Sequence, residues 1–304
     1  MPKFFTNRLS PAKINLFLHI LGQRADGYHE LQTLFCLLNW GDSLNFEFDA
    51  QDAAHKTVSD SIEINGIEHV NLEENLIFKA YQLFSENTEI SMPRMKVNID
   101  KRIPMGGGLG GGSSNAATTL LALNDYFKAE HFGHHFTLEQ LEQFGKALGA
   151  DVPVFIGQED AWAEGVGEKL TPIKMGKKFF ILLLPQVFID TTLIFKNPHL
   201  KRNTARIHQS LDHPKTNDCE PLVRNLFPLI DQIFELIQKV PLHLNQGTEL
   251  HPLHLQLSGT GSSLFIECAS KEEANIGFDQ INTLLKEKNL QDKVNSVIAE
   301  SLAD

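Results

Sequence analysis

Residues 104–115 read Pro-Met-Gly-Gly-Gly-Leu-Gly-Gly-Gly-Ser-Ser-Asn, and six of the seven residues from 106 to 112 are glycine. Ordering such a run is costly, because glycine loses more backbone freedom on folding than any other residue. The cost is tolerable where the main chain must approach something bulky and present its N–H groups to it. Ser113, Ser114 and Asn115 are N-cap residue types, and the Ala-Ala-Thr-Thr-Leu-Leu-Ala-Leu that follows reads as helix. A glycine loop feeding a helix N-terminus gathers unpaired donors and the positive end of the helix dipole at one place, and the favoured ligand is a phosphate.

The neighbourhood narrows the kind of phosphate loop. Gly106, Gly108 and Gly111 satisfy the dinucleotide spacing, but the strand-like residues 95–99 are separated from the run by Asp100-Lys101-Arg102-Ile103-Pro104, too long a link for that tight turn. Gly112 is followed by Ser113 rather than lysine, which excludes a Walker-type loop. Ser113 also stands where a protein-kinase loop carries its valine, two residues after the last glycine. A flexible linker is the plain alternative, although linkers do not usually run straight into a capped apolar helix.

The rest of the chain reads as alternating strands and helices. Residues 13–21 alternate, with Ile14, Leu16, Leu18 and Ile20 on one face, and residues 31–40 and 42–48 read as two more strands. Ile62 and Ile64 mark a short strand, 75–85 a helix and 95–99 a strand. Thr137 and Gln140 form a capping box for a helix carrying Leu138, Leu141, Phe144 and Leu148 inward, with Gly149 as its stop. Residues 179–184 are a buried strand. After a polar link at 197–221 the pattern is helix (223–240), strand (264–268), helix (271–287) and strand (294–299). This order predicts an α+β chain in two lobes.

The net charge of −11 over 304 residues argues against nucleic-acid and anionic-membrane partners, which require a basic face. The three cysteines, Cys36, Cys219 and Cys268, are too dispersed for a disulfide framework or a metal knuckle and suit a reducing cytoplasm. No secretion signal and no membrane span is apparent.

Among residues able to do chemistry, Lys13 is by base rate an ordinary solvated lysine, yet could serve as a compact charge beside a phosphoryl group. Asp151, in Gly-Ala-Asp-Val-Pro, either caps the next turn or acts as a base, and the local sequence leaves both open. Tyr28 and His29 follow an Asp-Gly turn; packing is their commoner use, with stacking on a planar base the other. The Ser-Gly-Thr-Gly-Ser-Ser loop at 258–263 is by itself only a tight turn. His131, His134 and His135 lack the company of a metal site and read as solvated loop.

Taken together, Pro11-Ala12-Lys13-Ile14-Asn15-Leu16, the glycine stretch and the 258–263 loop resemble the three ordered motifs of the GHMP small-molecule kinases. Residues 24–33, 149–155 and 163–168 narrow the likeness to the branch acting on a cytidine-diphosphate-linked sugar alcohol. That resemblance implies a two-lobed fold, an S5-like N-terminal lobe over residues 1–165 that binds ATP and a ferredoxin-like C-terminal lobe over 166–304 on the substrate side. It implies transfer of the ATP γ-phosphoryl group to the 2-hydroxyl of cytidine-diphosphate methylerythritol, in the non-mevalonate route to isoprenoid precursors.

Residue by residue, the resemblance implies ATP binding by Pro104, Met105, Gly106, Gly107, Gly108, Leu109, Gly110, Gly111, Gly112, Ser113 and Ser114. It makes Asp151 the base and Lys13 its partner, and assigns substrate binding to Asn15, Tyr28, His29, Thr191 and Phe195. Tyr28 and Phe195 would sandwich the cytosine, leaving His29 for its polar edge. Mg²⁺ is expected with ATP, without an assigned protein ligand, and the chain is expected to be a monomer or weak homodimer. A mevalonate- or homoserine-type kinase, a non-catalytic nucleotide sensor of the same fold and a nicotinamide oxidoreductase are the competing readings. The first is opposed by the Tyr28-His29 turn, the second by the presence of Lys13 and Asp151, the third by the setting of the loop.

Overall fold

A computed structural model describes residues 4–49, 57–67, 70–130, 134–212, 214–238 and 254–302. By contacts the chain divides into two compact units, one of Met1–Ala12, Trp40–Ile103 and Gly110–Gln158, the other of Lys13–Asn39, Pro104–Leu109 and Glu159–Asp304. These units interleave along the sequence. His131 and the end of the helix expected to reach Val240 lie outside the described residues.

Two long paired strands, β1 (Phe4–Gln23) and β2 (His29–Asp49), contribute residues to both units. The two strands expected at 31–40 and 42–48 are one, because Gly41 continues the strand. A side chain at Gly41 would meet the Ser10 carbonyl oxygen at 2.1 Å, so only glycine lets β2 pass β1 there.

In the first unit, β4 (Arg94–Asp100) pairs antiparallel with the C-terminal half of β2, matching Leu44 with Ile99 and Phe46 with Val97. β3 (Ile62–Asn65) runs parallel to β4. Among its described residues are four α-helices: α1 (Leu76–Glu86), α2 (Gly111–Glu130), α3 (Leu138–Leu148) and α4 (Val152–Gly157). Its core is aromatic, with the Phe48 and Tyr126 rings stacked at 5.0 Å and Phe84 against Phe127 at 5.2 Å. The capping box of Thr137 and Gln140 forms as expected, and Gly149 ends α3. Leu138, expected inward, is 49% exposed in the first turn of α3, whereas Leu141 is buried.

In the second unit, β5 (Ala161–Gly165) pairs antiparallel with residues 31–35 of β2, and β6 (Lys169–Pro172) with β5. A separate antiparallel sheet has the order β10–β7–β9–β8, from β7 (Phe179–Pro185), β8 (Leu255–Leu257), β9 (Leu264–Cys268) and β10 (Val294–Glu300). α8 (Lys271–Glu287) packs on this sheet through Ala274, Ile281 and Leu285. A short helix unforeseen in the sequence, α5 (Thr191–Lys196), is capped by the Asp190 carboxylate.

The single helix expected from 223 is instead α6 (Glu220–Leu226) and α7 (Pro228–Ile237). Proline disfavours helical backbone in the residue before it, and Phe227 is extended at φ −123° before Pro228 opens α7. The fold is α+β, as expected, and the described strands form two sheets.

Candidate active site

In the second unit the glycine stretch lies against the 258–263 loop. Gly106, Gly108, Gly259 and Gly261 all have positive φ. At Gly108 a side chain would meet the Ser258 carbonyl oxygen at 2.2 Å, so the close approach of the two loops requires glycine. The loop carbonyls are held by protein donors. Ser263 N–H donates to Gly107 O at 3.0 Å, Ser258 Oγ to Gly108 O at 3.0 Å, and Lys13 N–H to Leu109 O at 3.0 Å. Among the described residues, the N–H groups of Gly106 and Gly108 donate to no oxygen. A loop whose carbonyls are occupied and whose amides are left over is electrostatically suited to an anion.

Lys13 is not the solvated lysine of the base rate. It is 4% exposed, its Nζ donates to Asn15 Oδ1 at 2.7 Å and Gly108 O at 3.1 Å, and it lies 5.2 Å from the Phe35 ring centre. A buried ammonium needs such partners, because desolvation disfavours its charged form. Asn15 supplies one of them, while its Nδ2 donates to Thr33 Oγ1 at 2.9 Å. Both ends of its amide are therefore used within the protein, which makes Asn15 first a holder of Lys13.

A side-chain cluster stands elsewhere in the same unit. Tyr28 follows the turn made by Gly27 at φ +85° and the Asp26 carboxylate, which accepts the Tyr28 N–H at 3.1 Å. Its ring is 65% exposed, so packing is not its use. His29 is buried, and its ring meets Phe195 of α5 at 5.1 Å between centroids. Burial first, then the Arg202 guanidinium beside it, holds the imidazole below its ordinary pKa. Thr191 opens α5 with its hydroxyl 3.0 Å from that of Thr260 in the 258–263 loop. The second unit thus brings Lys13, Asn15, the 104–109 loop and Thr191 to one pair of loops and packs His29 on Phe195, with Tyr28 exposed on the adjoining turn.

The 197–221 segment, expected as a linker, is strapped down. Arg202 donates to His29 Nε2 and to the carbonyls of Phe195, Asn197 and Leu200. The Gln32 amide exchanges two hydrogen bonds with the Ile207 backbone, and Arg206 pairs with Glu164. Polar composition pointed to a loose segment; long-range side-chain bonds decided otherwise.

In the first unit α2 begins at Gly111, earlier than expected, because Ser114 N–H already bonds Gly110 O at 2.8 Å. Ser113, Ser114 and Asn115 are therefore inside the helix and not caps. The cap position falls on Gly110, at φ +73°, which has no side chain. Among the described residues no side chain accepts from the first-turn amides of Gly111, Gly112 or Ser113, the configuration that favours an anion. Ser114 is fully buried and its hydroxyl accepts from Ser10 at 2.8 Å, so this side chain turns inward.

A residue that sequence reasoning missed organises this helix start. The fully buried Asp42 carboxylate accepts from Lys101 Nζ at 2.6 Å, Arg102 N–H at 2.8 Å, Ile103 N–H at 2.9 Å and Asn115 Nδ2 at 2.9 Å. It fastens the approach to the glycine stretch onto the first turns of α2. A charged residue interrupting the apolar alternation of β2 was its only sequence signal. Asp151 occupies the N-cap position of α4, but its side chain makes no capping bond, so the cap reading is not realised. Among the described residues no three His, Cys, Asp or Glu side chains gather into a metal site, and no helix is long and apolar enough to cross a membrane.

Comparison with known proteins shows the family and the fold. The family model for the GHMP kinases N terminal domain matches residues 75–158. A 4-diphosphocytidyl-2-C-methyl-D-erythritol kinase of Actinobacillus pleuropneumoniae is 42% identical over 88% of this chain and 86% of its own. One from Haemophilus ducreyi is 42% identical over 89% of this chain and 88% of its own. A crystal structure of 4-(cytidine 5'-diphospho)-2C-methyl-D-erythritol kinase superposes with a TM-score of 0.73 at 26% identity, covering 97% of this chain and 98% of that one. A homoserine kinase from Cytophaga hutchinsonii shares the fold, with a TM-score of 0.59 at 16% identity over 95% of this chain and 94% of its own.

Proposed function

The chain belongs to the 4-diphosphocytidyl-2-C-methyl-D-erythritol kinases, within the GHMP kinases, and from that premise we propose how its own residues divide the work. It is an ATP-dependent small-molecule kinase that phosphorylates the 2-hydroxyl of cytidine-diphosphate methylerythritol. The observation that carries the division is the buried ammonium of Lys13 on the carbonyl of Gly108, a charge held at the phosphate-type loop.

In this reading the ATP phosphates rest on the main chain of residues 104–114, with the Ser113 hydroxyl rather than the inward-turned Ser114. The substrate oxygen attacks the γ-phosphorus, the bond to the bridging oxygen of ADP breaks, and Asp151 takes the hydroxyl proton. Lys13 stabilises the charge that develops on the attacking oxygen. A tertiary alcohol is a crowded nucleophile, so positioning and charge stabilisation carry most of the acceleration. Tyr28 and Phe195 hold the cytosine, with His29 and Thr191 beside it.

Mg²⁺ fits as a passenger of ATP rather than as the occupant of a protein cage. Asp42, a buried carboxylate of the first unit, is already saturated by four donors, and a phosphate-bound magnesium needs few protein ligands. Bound there, it would neutralise phosphate charge. The three buried free cysteines suit a reducing cytoplasm.

Asp151→Asn tests the assignment. Affinities for ATP and for the cytidine substrate should stay within severalfold while kcat falls by roughly two orders of magnitude or more. Near-normal turnover would remove Asp151 from the role of base.

A further inference from the structure

Arg202 lies in a stretch without regular secondary structure, yet it makes four hydrogen bonds. Nη1 donates to Leu200 O at 3.0 Å, and Nη2 donates to Phe195 O at 2.8 Å and to Asn197 O at 2.7 Å. Those carbonyls fix the guanidinium plane at the end of α5. Nε–H points at His29 Nε2 at 2.8 Å. Thr204 N–H to Ile20 O at 3.1 Å and the Gln32–Ile207 pair secure the following residues, so Arg202 is held from both sides.

The chemistry of the two groups leaves one solution. A guanidinium has five N–H donors, accepts nothing and does not deprotonate in proteins. A hydrogen bond from it to Nε2 requires a lone pair there, which excludes both the imidazolium and the Nε2–H tautomer. The proton of the neutral ring is then on Nδ1. Among the described residues Nδ1 forms no hydrogen bond, and the ring lies beside Phe195. Burial and the neighbouring cation act in the same direction, keeping the ring neutral.

We propose that Arg202 is a positioning residue that locks His29 as the Nδ1–H tautomer, so that this ring donates a hydrogen bond to an acceptor atom of the substrate's pyrimidine. A pyrimidine ring such as cytosine offers acceptors at O2 and N3. A free histidine would present a mixture of tautomers and, on mild acidification, a cation. The locked ring presents one donor in one orientation, which is how a buried side chain gains selectivity from an outer partner. The proposal rests on the assignment of Tyr28, His29 and Phe195 to the pyrimidine, and its test separates the two.

Full-length protein labelled with ¹⁵N-histidine gives long-range ¹H–¹⁵N ring correlations, in which His29 is identified by its loss from the His29→Asn variant. The expected wild-type pattern at neutral pH is a protonated Nδ1 and an unprotonated Nε2. In Arg202→Met this pattern should change to a tautomer mixture, and KM for the cytidine substrate should rise roughly tenfold, the loss of about one hydrogen bond. KM for ATP and kcat should change less than twofold. Arg202→Lys keeps the cation without the fork and should fall between wild type and Arg202→Met.

A wild-type Nε2–H or imidazolium pattern would overturn the lock without any variant having to fold. So would an unchanged tautomer in Arg202→Met. If the tautomer is as stated but neither His29→Asn nor Arg202→Met moves KM for the cytidine substrate, the pyrimidine assignment fails, and with it the substrate half of the proposal. A merely structural role would instead lower stability and raise both KM values together.

Discussion

Two regions of the second unit are built from opposite materials. Where residues 104–109 meet the 258–263 loop, the contact is main chain on main chain, made possible by glycines that leave no room for a Cβ. Around Tyr28, His29, Phe195 and Arg202 the surface is side chain, assembled from a turn, a short helix and an irregular strap. The difference fits what each is proposed to recognise. A phosphate is a charged, nearly featureless anion, for which N–H donors and dipoles suffice. A pyrimidine is planar with a patterned edge, and calls for aromatic faces and an oriented donor. The Thr191–Thr260 hydroxyl pair links α5 to the 258–263 loop.

This contrast predicts how substitutions should sort. The largest effect is expected at Gly108→Ala. Its φ of +72° costs an L-residue roughly 1–3 kcal/mol, and the new Cβ would collide with Ser258 O, 2.2 Å away. The loops must separate, so kcat/KM for ATP should fall by on the order of a hundredfold or more, measured by steady-state kinetics. A variant with normal ATP kinetics would show that the loop contact is incidental.

Next comes Tyr28→Ala, which removes an exposed ring and leaves the backbone turn. Stacking of a base on an aromatic ring is worth about 1–3 kcal/mol, so KM for the cytidine substrate should rise roughly ten- to hundredfold with KM for ATP unchanged. Equal effects on both would dissolve the distinction between the regions.

The smallest effect on catalysis should come from Asp160, which belongs to neither region. Burial pushes its carboxyl up to about 6, against the opposing hydrogen bonds from Leu37 N–H and the Cys36 thiol. Because the folded state binds this proton more tightly than the unfolded chain, the stabilisation is present at about pH 4 and is lost as pH rises through about 6. Asp160→Asn keeps an oxygen for Leu37 and removes the titration. Its urea midpoint should exceed that of the wild type at pH 7.5, by a free energy on the order of 1–3 kcal/mol, and converge with it near pH 4. Both KM values should stay put. A midpoint below wild type at pH 7.5 would show that the charged carboxylate is needed.

The same contrast explains what could be read before the fold was known. Glycine spacing, the Thr137–Gln140 capping box and the helix from Lys271 to Glu287 are local patterns, and each appears where expected. The short helix α5 was not foreseen, and the break before Pro228 was missed although proline is a local signal. The partners of Arg202 and Asp42 were invisible for another reason. Arg202 reaches His29 across 173 positions and Asp42 reaches Asn115 across 73, so no window of sequence contains either pair. Polar composition misled at 197–221, since the polar residues there serve as straps rather than as solvated loop. Lys13 and Tyr28 deviated from their base rates in opposite senses, one buried and one exposed.

The central claim is that the side-chain region selects a cytidine-linked alcohol while the main-chain region binds ATP. Coupled ADP release, measured with cytidine-diphosphate methylerythritol, mevalonate and homoserine in turn, tests it most directly. Rapid ADP formation with the first, and background rates with the other two, is the predicted result. Comparable turnover of mevalonate or homoserine, or no ADP with any of the three, would contradict it.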